Sequence, residues 1–297
     1  MLKRIILLLS LWGWVGSGVA GETGHYLYGS KGIRGASLPL SGSHWYSYNH
    51  LYNTNEFTDA KGDTLPGDFK LNQLTSNNQF LWISKKKIFQ GDYGAAISVP
   101  LTLRHLTTMT GLEDEQVHMG DVLVEPFILG WHNNKFETMF SFGFYAPTGK
   151  YDIGKPALPG KNFWTTMVSA GSTLYFDDLK TWSGSVLGHY EMHSNKQELD
   201  IKPGNDLSLE WGIGKILQGG WEVGVAGYWH WQVTDDSGED VYWDKDVHDQ
   251  AFGMGPEINT FLPLGNIFIS MKSLWEFDTK DHSSGHVISV TLTKLLN

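Results

Sequence analysis

The sequence predicts an all-β protein, a transmembrane antiparallel up-and-down β-barrel of about 12 strands. Three observations carry that prediction. Apolar residues recur at every second position over runs of about ten residues or longer, the length a tilted membrane strand needs, whereas ordinary strands have a mode of about five or six. Short and long connections alternate along the chain, as they do in outer-membrane barrels. The chain also opens on an export signal.

That signal is the first element. Lys3 and Arg4 precede the apolar run Ile5 to Val15, and Gly18, Val19 and Ala20 offer a small-residue cleavage site, so residues 1–20 read as a signal peptide cut after Ala20. The run is too short to span a bilayer as a helix, which takes about 20 apolar residues. Residues 21–42 are Gly/Ser-rich and without strand periodicity. They form either a plug folded into the lumen, in which His25 and Tyr26 reach the solute path, or a disordered periplasmic arm.

Residues 43–297 are the expected barrel. Candidate strands lie near 44–56, 69–84, 93–106, 120–131, 136–146, 163–176, 181–193, 206–217, 221–233, 250–262, 266–277 and 286–296. Trp221, Val223, Val225, Gly227, Trp229, Trp231 and Val233 alternate with Glu222, Gly224, Ala226, Tyr228, His230 and Gln232. In a strand those two sets face opposite sides. Phe136 to Tyr145, Trp182 to Met192 and Leu207 to Gly214 repeat the pattern, and Ile267 to Phe277 does so with breaks at Phe268 and Leu274. Tyr46, Tyr48, His50 and Tyr52 make a looser stripe. Short turns are expected at 132–135, 177–180, 218–220 and 263–265, and long loops near 147–161, 194–205 and 234–248. An even strand count places both ends of the barrel on the short-turn side. Pro100, Pro126 and Pro256 fall inside candidate strands, where each removes a ladder donor and implies a bulge or kink.

Composition excludes several functions. With no Cys there is no thiol enzyme, disulfide scaffold or cysteine zinc site. A net charge of −10 without a long basic cluster argues against nucleic acid. Arg104, Glu125, Glu137, Glu210, Glu222, Tyr228, His230, Glu257, Lys272 and Glu276 are the candidates for lining the lumen. Facing lipid at mid-depth would cost about 2–4 kcal/mol for a Lys or Arg. They serve either as a polar pathway or as paired charges that hold the barrel shut. The many tryptophans fit aromatic girdles at the bilayer interfaces, and Trp243 stands apart in a loop.

No catalytic site is expected. His193 and Ser194 are adjacent and point to opposite faces if the strand persists there, and no nucleophile elbow or His-Glu-x-x-His motif is present. The acidic run Asp235 to Asp249 has oxygen ligands suited to Ca²⁺ or Mg²⁺ but lacks the regular ladder of a calcium loop, and reads as a solvated surface loop. Neither a metal nor a cofactor is required.

Several segments are similar to a known family. They are Gly24 to Gly29 (GHYLYG), Gly120 to His132 (GDVLVEPFILGWH), Tyr145 to Tyr151 (YAPTGKY), Lys161 to Thr165 (KNFWT), Gln232 to Gly238 (QVTDDSG) and Phe252 to Ile258 (FGMGPEI). In that order they resemble the MetA-pathway phenol-degradation family of outer-membrane barrels. The resemblance implies a passive channel for small hydrophobic or aromatic compounds, set among outer-membrane lipid and lipopolysaccharide. The alternatives are a structural or anchoring barrel without transport and a lipid-modifying barrel enzyme. Barrel chains commonly end on an aromatic that guides insertion by the barrel-assembly machinery, whereas this one ends Leu295, Leu296, Asn297.

Overall fold

A computed structural model describes residues 23–296, so the predicted signal peptide lies outside the described residues. The strands are β1 (Gly42–Phe57), β2 (Lys70–Ile88), β3 (Gly91–Thr107), β4 (Glu113–Met119), β5 (Val122–His132), β6 (Phe136–Ala146) and β7 (Thr165–Tyr175). They continue as β8 (Trp182–His193), β9 (Asp206–Ile216), β10 (Glu222–Gln232), β11 (Gln250–Leu262), β12 (Ile267–Lys280) and β13 (Ser283–Leu295). All pairings are antiparallel, and β1 closes the ring against β13, with His44 opposite Leu295 and Phe57 opposite Ser283. Twelve strands form the closed barrel, as expected, because β4 pairs only with β3. Strands of 11 residues, such as β5, β6 and β9, run about 36 Å at about 3.3 Å per residue. Tilted, they cross the roughly 25 Å apolar band of an outer membrane.

The short β4 is the element the alternation misses. It pairs with Leu101–Thr107 as a hairpin above β5, which takes up the Asp92–Ser98 stretch of β3 one residue out of step. The break falls at Gly120 and Asp121, opposite Pro100, whose carbonyl still accepts the Gly120 N–H. The other two prolines interrupt the ladder differently. At Pro126 the register of β5 shifts against both β3 and β6, which is a bulge. At Pro256 the β11–β12 pairing skips Gly255 and Pro256 and resumes in the same register at Glu257 and Lys272.

Lipid-facing and lumen-facing residues separate as the alternation requires. Trp182, Val186 and Met192 are exposed on the outside of β8, while Ser183, Ser185, His189 and Glu191 are buried within. One sector departs from an apolar exterior. Ser47 and Asn49 of β1 lie opposite Asn78 and Ser76 of β2, on the outward face and between Trp45 and Phe80 below and Leu51 and Leu74 above. Within this tetrad Asn49 Nδ2 donates to Ser47 Oγ (3.1 Å) and Asn78 Nδ2 to Ser76 Oγ (3.4 Å), and the neighbouring Trp45 Nε1 donates to Asn78 Oδ1 (3.1 Å).

Residues 23–41 carry no strand and lie inside the barrel. Leu40 sits at the short-turn rim, where its carbonyl meets His44 Nε2 (2.8 Å). Thr23 sits at the opposite rim, where its carbonyl accepts from Lys161 Nζ (2.8 Å). The strand ends of the barrel do share the short-turn side, but the described chain begins beneath the long loops. It descends the whole lumen before turning into β1.

Candidate functional site

The lumen is a socket for that descending segment. Glu191 Oε1 accepts the backbone N–H groups of His25 (3.0 Å) and Tyr26 (3.1 Å). Glu210 Oε1 accepts the Tyr26 hydroxyl (3.0 Å) and the Ser30 N–H (3.1 Å). Glu257 Oε2 accepts the Ile33 N–H (2.8 Å), and Glu222 Oε1 accepts Arg34 Nε (2.7 Å). Lys272 Nζ donates to the carbonyls of Ser30 (3.0 Å) and Lys31 (2.6 Å). Hydrogen bonds to charged groups contribute about 1.5–3 kcal/mol each, so a set of this size holds the segment firmly. A Cβ at Gly32 would collide with the Glu257 carboxylate, and one at Gly24 with the carboxylates of Asp206 and Glu191. Only glycine lets the backbone approach so closely.

The inward candidates therefore divide by role. Glu210, Glu222, Glu257 and Lys272 grip the segment. Glu137 sits at the short-turn rim beside His132 and Lys180, both 3.6 Å away. Glu125, at the Pro126 bulge, accepts from Ser141 Oγ (2.9 Å) and Gln79 Nε2 (3.2 Å). Arg104, Tyr228 and Glu276 border open space. Glu276 accepts the hydroxyls of Tyr228 and Tyr52 (2.6 Å each), and Arg104 Nε donates to Gln73 (2.7 Å). His230 belongs to a cluster near the long-loop rim with Asp206 and Asp249.

His25 and Tyr26, proposed from sequence as plug residues, both lie in the lumen. Tyr26 stacks on His189 with ring centroids 3.9 Å apart, and His25 stacks on Tyr145 at 4.8 Å. His25 also begins a hydrogen-bonded chain. Its Nε2 is 2.9 Å from Asp121 Oδ2 and its Nδ1 2.7 Å from Thr165 Oγ1; Thr165 Oγ1 is 2.7 Å from His193 Nδ1, and His193 Nε2 is 3.0 Å from Asp206 Oδ2. Four hydrogen bonds need four protons. Thr165 and two neutral imidazoles supply three, so one further proton belongs to the chain. Burial pushes His25 down to about 4, against the opposing bond to Asp121, so the extra proton does not rest on the His25 imidazole.

Two cavities lie in line beside the segment, against the inner wall of β1–β3. The outer one, about 370 Å³, is bordered by Tyr52, Phe57, Phe69, Leu71, Arg104 and Leu106 among others. The inner one, about 90 Å³, lies against Tyr46, Tyr48, Leu81 and Glu125. Tyr26, Leu27, Asn77, Ser98, Leu123 and Tyr145 border both and stand between them.

Alternation alone did not single out Glu191, Asp206, His189 or Thr165 as site residues, although their inward parity on β7, β8 and β9 carries the signal. Asp121 carries no such signal, because it sits at the strand break. His193 and Ser194 do diverge: His193 turns to Thr165 and Asp206, while Ser194 Oγ accepts the Trp164 N–H (3.0 Å). The acidic run departs from its expected solvation at two places, since Asp236 and Asp249 are buried. Trp243 donates its indole N–H to Asp236 and meets Tyr242 edge-on, with no solute-facing role needed.

Comparison with known proteins fits this architecture. The family model described as "Putative MetA-pathway of phenol degradation" matches residues 54–292. The chain belongs to this family. Its fold is similar to the COG4313 outer membrane channel from Pseudomonas putida F1, with a TM-score of 0.76 and 13% identity, covering 87% of this chain and 97% of the channel. The transport unit of the autotransporter AIDA-I from Escherichia coli matches more loosely, with a TM-score of 0.50 and 12% identity over 86% of this chain and 90% of that unit. No curated protein matches the chain. This family member has the closed 12-stranded antiparallel β-barrel fold that those outer-membrane proteins share.

Proposed function

We propose that the barrel is a passive channel for small hydrophobic or aromatic compounds, and that residues 21–42 act as a plug that narrows its path. The single observation that carries this reading is the pair of neighbouring cavities that share a border of Tyr26, Leu123 and Tyr145. The outer cavity interleaves aromatic and aliphatic walls with polar and charged groups such as His50, Gln73, Thr102 and Arg104, a lining that suits a small aromatic solute carrying a polar group. The phenol-degradation description of the family agrees with that solute class. The signal peptide would deliver the chain to the outer membrane, with lipopolysaccharide as its outer neighbour and the barrel-assembly machinery as its insertion partner.

The competing reading is a structural barrel, favoured by the tight bonding of the segment into the lumen. Vesicles carrying pure protein should admit small aromatics faster than empty vesicles; equal rates would favour the structural barrel. Deleting residues 21–42 should raise conductance in planar bilayers, and unchanged conductance rules out the plug.

A further inference from the structure

We propose that the lumen's outer end binds one divalent transition-metal ion of the zinc type through Asp206, His230 and Asp249. The ladder brings these residues together: Asp206 opens β9 opposite Gln232, His230 lies opposite both Ser208 and Ala251, and Asp249 directly precedes β11. His230 Nε2 is 3.2 Å from Asp249 Oδ1 and 3.9 Å from Asp206 Oδ1. The three ligand atoms all lie within 4.8 Å of one another, on buried side chains. Tetrahedral zinc with bonds of about 2.0–2.2 Å sets its ligands roughly 3.3–3.6 Å apart.

The surroundings hold each ligand in the orientation a metal needs. His230 Nδ1 is 3.0 Å from Ser208 Oγ, which turns Nε2 towards the carboxylates. The second oxygen of Asp206 is held by His193 Nε2 at 3.0 Å, and His193 in turn by Thr165 at 2.7 Å. Such outer partners fix ring orientation and ligand basicity in metal centres. A proton on His230 Nε2 reaches Asp249, but at 3.9 Å it makes no hydrogen bond to Asp206. A cation between the three serves all of them. One imidazole with two carboxylates suits zinc-like ions better than Ca²⁺ or Mg²⁺, which take oxygen sets. Bound there, the ion ties the bases of loops 194–205 and 233–249 to the floor on which Gly24 packs.

The test uses the tag-free mature chain folded in detergent micelles, stripped with chelator and titrated calorimetrically with Zn²⁺. One ion per barrel should bind, with a rise in the thermal unfolding midpoint. His230→Gln and Asp249→Asn should each weaken binding by about 100-fold or more while the barrel keeps its folded gel mobility. X-ray absorption on the wild-type complex, which needs no variant, should show one imidazole among oxygen ligands. Absence of saturable binding at about 100 µM Zn²⁺, or a metal shell without imidazole, overturns the proposal. So does affinity that survives both variants, or that disappears on His248→Ala, which would place the ion on the exposed Asp235–His248 pair.

Discussion

His25 shows what burial does to a single side chain. Its imidazole is neutral in the lumen because burial lowers it from 6.5 to about 4. In a released segment it would return to the ordinary value, so between about pH 6.5 and 4 the free form binds more protons. Seating therefore strengthens as pH rises through that window and weakens as pH falls through it. Hydrogen exchange of residues 24–34 at pH 7, 5.5 and 4.5 should show progressive loss of protection on acidification; constant protection would mean His25 titrates alike in both states. Gly32 makes a second residue-scale prediction. Gly32→Val must displace the Glu257 carboxylate or the backbone, so trypsin should cut at Lys31 and Arg34 faster than in wild type, with the barrel itself intact. Inward orientation of Glu210, Glu222 and Glu257 was legible from parity alone. Their partners were not, because the groups they bind lie in the Tyr26 to Arg34 stretch, some 180 to 220 residues away, where no periodicity relates them.

At the scale of strands, the pattern breaks were informative. Leu274, which interrupts the alternation of β12, is fully buried with Tyr228, Ala251 and Val287 against Tyr28 of the inserted segment. Apolar residues appear on the inner face where the segment needs something apolar to pack on. The three prolines marked interruptions in the ladder, but β4 was invisible because five of its seven residues are charged or polar and make no apolar stripe. The tetrad of Ser47, Asn49, Ser76 and Asn78 runs the other way, placing polar side chains where lipid is expected. An amide in hydrocarbon with incomplete hydrogen bonding costs about 1–3 kcal/mol. Asn49→Leu should accordingly raise resistance of the folded barrel to heat or urea by about 1–2 kcal/mol in micelles. A loss of stability would show that its bonds to Ser47 and Val290 outweigh that cost.

For the whole molecule, closure was legible from strand length, even count and alternating connections, since those follow from geometry that any bilayer imposes. The path of residues 23–41 was open, because a Gly/Ser-rich stretch fits a plug and a periplasmic arm equally well. Tyr26→Ala should open the border between the two cavities and increase permeation of small aromatics into vesicles, with unchanged gel mobility; equal permeation would place the flow-limiting point elsewhere.

The direction of that buried stretch has a consequence for the order of events in biogenesis. It is made before every strand of the barrel, yet its glutamate and Lys272 anchors stand on β8 to β12, which are made late. Docking must wait until the C-terminal half of the wall exists, so protection of the N-terminal amides would be a late signal that assembly had finished.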